Sequence, residues 1–320
     1  MRFRRVSIVF MFLLLPLVTA RASRKWGFWA HMQINRMAVF TLPEEMLGFY
    51  KRNIDYITKH AVDPDKLRYL LKNEAPKHYI DLDLYPELFT QTKLRQWNEA
   101  VSCYSVDTLE ANGVLPWNIE QFMKRLTRAF ANRDSAAVLR CSAFLGHYLA
   151  DASVPLHTTS NYNGQKTNQK GIHAFWETRL PVLFAENYDQ LTGRSVYINN
   201  TSSYIWKLIF QSHSAVDSVL CFEEELNKTT AAERKFGLNN KNGAIVSDYS
   251  EEYARNYHQR LNGMVERRMQ AAISSVGNFW YTAWVNAGQP DLNNWRLHES
   301  SEGLDSLQYS KTKLKTREEE

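Results

Sequence analysis

Apolar residues recur every three to four positions through most of this chain, the spacing of helices with one buried face. Residues 34–40 and 46–56 show it, separated by Thr41-Leu42-Pro43-Glu44-Glu45, which predicts a helix start with proline at the first helical position. Pro116 likewise opens a helix carrying Ile119, Phe122, Leu126 and Phe130. Asp134 or Ser135 starts another, through Val138, Cys141, Phe144, Leu145 and Tyr148. A long segment then aligns Met269, Ala272, Ile273, Val276, Phe279, Trp280, Ala283 and Trp284 on one stripe. Alternating strand patterns are scarce, and there is no internal repeat. Residues 227–247, rich in Asn, Lys, Thr and Gly, read as a surface loop, and residues 298–320 read as a disordered tail with little to bury. The pattern predicts an all-α protein, a single multi-helix domain over residues 26–297.

The N-terminus departs from this pattern. Met1 to Arg5 is basic, residues 6–18 are almost wholly apolar, and Thr19-Ala20-Arg21-Ala22 offers small residues for cleavage. That layout predicts a signal peptide over residues 1–22, with its boundary between 20 and 25, and a secreted or periplasmic protein. The apolar run is short for a membrane span and none longer follows, so no transmembrane segment is expected in the mature chain. The full chain has 39 basic and 34 acidic residues; cleavage after Ala22 leaves 35 against 34, and cleavage before Trp26 leaves 33 against 34. A near-neutral mature protein offers no electrostatic argument for nucleic acid or an anionic membrane. Cys103, Cys141 and Cys221 allow at most one intramolecular disulfide and lack the Cys-x-x-Cys spacing of a zinc site. A metal here must rely on His, Asp and Glu.

Such residues cluster in the sequence. His147 and Asp151, four apart, project from one face of a predicted helix. Pro155 ends that helix, so the chain turns and can return His157 to the same region. His173 and Glu177 repeat the spacing. One such pair is more often a surface ion pair than a metal site. Five histidines in short motifs change that weighting: Trp26 to His31, His78-Tyr79-Ile80-Asp81, His147 to Asp151, His157, and His173 to Glu177. With Asp63 nearby in sequence order, they point to several metal ions in one helical cluster, and zinc suits imidazole and carboxylate donors.

His147-Tyr148, Asp151-Ala152-Ser153, Pro155, His157 and Asn161 resemble the signature of the bacterial zinc-dependent phospholipases C. Ala150 and Thr159 depart from it. The surrounding motifs, in order, resemble the superfamily that these enzymes form with the single-strand-specific zinc nucleases. The resemblance covers residues 26–181 and implies an α-helical domain with a helix-lined cleft for three zinc ions. It implies that Asp63, His78, His147 and Asp151 hold the first ion, and that His157, His173 and Glu177 hold the second. The third would be held by His31, by Asp151 as a bridge, and by the free amine and carbonyl of an N-terminal Trp26. It gives Asp63 a catalytic role as well, orienting or deprotonating the attacking water, while zinc acidifies that water, grips phosphate oxygens and stabilises the leaving alkoxide. The third ion needs Trp26 at the mature N-terminus, so a second cut after Arg24-Lys25 is expected.

On substrate, the features divide. His31 follows Trp26 by five residues, the short spacing of the nucleases, whereas Glu177 and the His147 to Asn161 signature are phospholipase features. Gly27, Phe28 and Trp29 stand where choline-preferring phospholipases place a glutamate. Trp29 can face an ammonium, stack a base, or belong to the core. Lys66 can hold a phosphate oxygen or be a solvated charge. The expectation is an exported, phospholipase C-like phosphodiester hydrolase acting on a phospholipid or another phosphodiester. Single-stranded nucleic acid is the alternative substrate, and a non-catalytic zinc-binding protein is the alternative of another class. An open coordination position separates catalytic from structural zinc. His60, His213, His258 and His298 lack partners at ligand spacing and are expected to be structural or surface residues. Oligomeric state is not legible.

Overall fold

Two helices of 17 residues each, Leu115–Ala131 and Ser135–Asp151, form a hairpin at the centre of the protein. Pro116 lies in the first turn of one, and Asp134 caps the other, accepting from the Ala137 N–H at 2.9 Å. The 23-residue helix Met264–Asn286 packs on both and buries the apolar stripe read from its sequence. Its Trp280 stacks on Tyr50 at 4.9 Å and donates to the Ser142 carbonyl at 3.1 Å. The computed structural model describes residues 27–241, 244–293 and 295. The expected signal peptide, Trp26 and the expected tail lie outside the described residues. Among those described, no helix is long and apolar enough to cross a membrane, and Cys103, Cys141 and Cys221 are all free thiols.

The helix Phe28–Ala38 packs against the hairpin at very close range, and one glycine makes that possible. A β-carbon on Gly146 would sit 2.0 Å from Asn35 Oδ1, so only glycine leaves room for this side chain, which donates to the Ala143 carbonyl at 3.0 Å. The approach brings His31 over His147, their rings stacked at 4.1 Å.

Among the described residues, apolar side chains form two clusters. The larger surrounds the hairpin and includes Tyr50, Phe130, Leu145, Trp206 and Trp280. The smaller joins Leu156, Ile172, Phe175 and Trp176 to Tyr249, Tyr253 and Tyr257. Ala152 belongs to the first and Val154 to the second, so the chain crosses between them immediately after Asp151. The candidate site lies at this crossing.

Three sequence expectations differ from the structure. Residues 46–56 are not one helix but two, Glu44–Arg52 and Ile54–His60, because the Asn53 side chain bonds back to the Phe49 carbonyl at 2.8 Å and its backbone leaves the helical region. Pro43 is the extended cap residue and not the first helical one. Residues 227–247 are not a loop. The helix Val216–Thr229 runs into them, the short helix Ala232–Lys235 follows, and strands Phe236–Lys241 and Ala244–Tyr249 then pair antiparallel, with Phe236 opposite Tyr249. This hairpin is anchored at its base, where Tyr249 stacks on Phe175 at 3.8 Å.

Candidate metal centre

Six separate pieces of chain deliver the site. His31 comes from the Phe28–Ala38 helix, and Asp65 from the short helix Asp63–Leu67. His78 ends the 3-10 turn Ala75–His78. His147 and Asp151 occupy the last turns of the central helix, on one face as their spacing requires. After Val154, in extended conformation, Pro155 starts the 3-10 turn Pro155–Thr158 that carries His157 back. His173 and Glu177 follow at the junction of a helical turn, Ile172–Ala174, with the π-helical turn Phe175–Arg179.

The side chains converge in two groups with a bridge. In the inner group His78 Nδ1 lies 2.9 Å from Asp151 Oδ2 and 3.0 Å from His147 Nε2. Asp65 Oδ1 stands 3.7 Å from His78 Nδ1 and 3.6 Å from His147 Nε2. In the outer group His157 Nε2 is 3.0 Å from His173 Nε2, and Glu177 Oε2 is 2.8 Å from that same atom. His31 Nε2 spans the two, 3.5 Å from Asp151 Oδ1 and 3.3 Å from Glu177 Oε1. His31, His78, His147, Asp151 and His157 are all buried.

The tautomers explain why these atoms crowd together. His147 Nδ1 donates to the Ala61 carbonyl at 2.8 Å, and His157 Nδ1 donates to the His78 carbonyl at 2.7 Å. With those nitrogens protonated, both Nε2 lone pairs point inward, towards carboxylates and other imidazole nitrogens. Asp151 Oδ1, His31 Nδ1 and His78 Nε2 are buried without a hydrogen-bond partner among the described residues. Converging lone pairs and an unsatisfied buried carboxylate oxygen are costly unless a cation is shared among them. The donor set, imidazole nitrogen and carboxylate oxygen, suits zinc. Four sets of three donors, each with its ligand atoms within 4.8 Å of one another, can be drawn from His31, Asp65, His78, His147, Asp151, His157, His173 and Glu177.

Protons compete with a cation for the same inward nitrogens. Burial opposes a proton on His147, but the Asp151 and Asp65 carboxylates outweigh it and hold the imidazole up to about 9. Burial also opposes charge on His157, and Asp151 and Glu177 together raise it to about 10. Asp151 and Glu177 lie well below the usual carboxylate range, because the neighbouring histidines overcome the cost of burying them. Burial pushes His78 down, so its ring stays neutral.

One expected ligand is placed elsewhere. Asp63 turns away from the cluster, its carboxylate held by His60 Nδ1 at 2.5 Å and Lys66 Nζ at 2.7 Å. Asp65 takes the position instead. Residues two apart on a helix point to nearly opposite sides, so only one of the pair in Val62-Asp63-Pro64-Asp65 can face inward. Lys66 is thereby engaged with Asp63, and Trp29 packs, partly buried, against the main core. His60 is not without a partner, as its spacing suggested, but bonds Asp63; His213 bonds the Thr158 carbonyl and His258 the Tyr188 hydroxyl. Sequence reasoning also missed Asn163, whose side-chain oxygen accepts from the Gly171 N–H at 3.0 Å and the His173 N–H at 3.4 Å and so fixes the start of the outer segment.

A family model described as "Zinc dependent phospholipase C" matches residues 30–240. The chain belongs to this zinc-dependent phospholipase C family. No curated protein matches it by sequence. Among solved structures, alpha-toxin of Clostridium perfringens from avian strain SWCP is similar at 13% identity and a TM-score of 0.49, over 84% of this chain and 66% of the toxin. The alpha toxin of Clostridium absonum is similar at 13% identity and 0.46, over 87% and 67%. The chain thus spans about two thirds of the toxins' length. Residues 30–240 span every expected ligand position except Trp26.

Proposed function

We propose that this protein is an exported phosphodiester hydrolase of phospholipase C type, working with three zinc ions. The observation that carries the reading is the convergence of eight His, Asp and Glu side chains at one crossing of the chain, in a member of a zinc-dependent phospholipase family. His78, His147, Asp151 and Asp65 would hold one ion, and His157, His173 and Glu177 a second. His31 and Asp151, with the amine of a processed Trp26, would hold the third. When bound, zinc supplies an acidified water and positive charge for the phosphate oxygens.

The chain's own residues do the remaining work. Asp65 is the most exposed carboxylate of the inner group, at 20%, against 1% for Asp151. The role that the resemblance gave to Asp63 therefore passes to Asp65. It orients the attacking water and accepts its proton as the water oxygen bonds phosphorus. The bond from phosphorus to the alcohol oxygen then breaks, and the leaving alkoxide takes up the proton that Asp65 accepted. His31, His78 and His147 exclude bulk water from the inner side of the cluster by their own burial.

Zinc-dependent hydrolysis of bis(p-nitrophenyl) phosphate tests the chemistry. Asp65→Asn is expected to abolish it while His78, His147 and Asp151 still bind zinc, more weakly than before; a protein that holds zinc but never hydrolyses the ester is the non-catalytic alternative. Parallel assays on phosphatidylcholine, phosphatidylethanolamine and single-stranded DNA test the substrate. The spacing of Trp26 and His31 favours the nuclease reading, and turnover of DNA alone would establish it. Intact-mass analysis of the exported protein is expected to give a chain beginning at Trp26; a start at Arg21 or Ser23 removes the third site as drawn.

A further inference from the structure

Three of the clustered histidines present one ring nitrogen to the site and the other to the surrounding protein. Behind His147 stands the Ala61 carbonyl, and behind His157 the His78 carbonyl. Behind His78 stands a carboxylate, Glu74, with Oε1 3.8 Å from His78 Nε2. Glu74 is only 2% exposed, and it belongs to none of the candidate ligand sets among the described residues.

Its surroundings hold it in place for that position. Lys77 Nζ bonds Oε2 at 2.6 Å, and the buried Tyr148 hydroxyl donates to Oε1. Tyr148 is the residue next to His147, and its ring meets that of His78 edge to face at 5.4 Å. A carboxylate oxygen has two acceptor sites, so Oε1 can take an N–H from His78 while keeping that of Tyr148. His78 Nε2, buried and without a hydrogen bond among the described residues, is the donor that lacks an acceptor. Closing the gap by about 1 Å brings it within hydrogen-bond range.

We propose that Glu74 is the positioning residue for His78: it accepts the Nε2–H, fixes the tautomer that leaves the Nδ1 lone pair towards Asp151 and His147, and makes that nitrogen a stronger donor to zinc. A carboxylate behind a ligating imidazole orients the ring and raises its basicity, and losing such a partner typically costs roughly 10–100-fold in metal affinity. Lys77 and Tyr148 keep the carboxylate aimed. The inference rests on the zinc reading above.

The test uses the full-length protein. Zinc affinity by chelator competition, and the visible spectrum of the cobalt-substituted form, are compared for wild type, Glu74→Gln and Tyr148→Phe. Glu74→Gln is expected to weaken one zinc by roughly 10–100-fold and to shift the cobalt bands. Tyr148→Phe is expected to weaken it less. Unchanged affinity and spectrum in Glu74→Gln overturn the proposal. In wild type, histidine-labelled NMR of the zinc-loaded protein is expected to show the His78 proton on Nε2, a readout that does not depend on the variants folding; a proton on Nδ1 overturns the proposal. A wild type that binds no zinc refutes the metal centre itself. A variant that binds as tightly as a zinc-loaded wild type refutes Glu74 alone.

Discussion

The inner and outer halves of the site are built by different means. The inner half is centred on the regular helix Ser135–Asp151, within the large core, whose His147 and Asp151 are both almost fully buried. The outer half sits on short 3-10, α and π turns over the smaller core, and its His173 and Glu177 keep 13% and 14% exposure. Helical repeat fixes the two central inner donors, His147 and Asp151, while His78 and Asp65 are brought up to them by short turns. The outer donors depend on what lies beneath them, Phe175 stacked on Tyr249 and Asn163 bonded to the His173 backbone. Position by repeat is hard to disturb at a distance; position by support is not.

The largest effect is expected where the halves meet. Asp151→Asn removes the carboxylate that faces His78 and His147 on one side and His31 on the other, so both halves should lose zinc and hydrolysis should fall at least about a hundredfold. Metal analysis showing only one half affected would mean that the halves are independent. Next comes Phe175→Ala, in the smaller core that carries the outer half. Truncating so buried a ring costs about 3–5 kcal/mol. Partial loss of zinc is expected before global unfolding, with His157, His173 and Glu177 affected first; equal loss from both halves would remove the distinction drawn between them.

Asp63→Asn should do much less than Asp65→Asn. It breaks contacts to His60 and Lys66 at a partly exposed position, worth about 1 kcal/mol or less, and activity should change by only about twofold. A loss equal to that of Asp65→Asn would show that the two carboxylates exchange places. The smallest effect is on the pH dependence of the metal-free protein. His147 and His157 are raised to about 9 and about 10, so the stability they contribute is complete below about 6.5 and is lost as pH rises through those values. Asp151 and Glu177 are lowered, so theirs is present above about 4 and is lost as pH falls through their depressed values. Thermal unfolding without metal should therefore peak near pH 5–6.5. Zinc needs the imidazoles unprotonated, so the rise in Tm on adding zinc should grow from pH 6 to pH 9. A zinc-induced rise in Tm that is constant with pH would contradict the assignment.

Legibility in the sequence followed backbone regularity. The central hairpin and the Met264–Asn286 stripe were readable because period 3.6 and end residues such as Pro116 and Asp134 agree. The pairs His147/Asp151 and His173/Glu177 were readable for the same reason, even though the second pair enters a π turn. Asp65 was not, because Asp63 and Asp65 are chemically identical and only the facing of a five-residue helix tells them apart. The hairpin at 236–249 had a usable signal in Phe236 and Leu238 alternating with Gly237 and Asn239 ahead of Asn242-Gly243, but its polar composition hid it. Glu74 stands four residues before His78, a spacing the other pairs share, yet spacing alone does not say that it lies behind the ring. A carboxylate behind a histidine is a fact of packing.

One pair of hydrogen bonds has a further consequence for how metal is taken up. His157 Nδ1 donates to the His78 carbonyl, and two residues on, the Ile80 N–H donates back to the His157 carbonyl at 2.9 Å. A ligand of one half is thus latched to the backbone of the other. Filling the inner half stiffens the 78–80 segment and with it the ring that the outer half needs, so the ions should enter in order and cooperatively. A titration curve steeper than independent sites allow would be the signature of that latch.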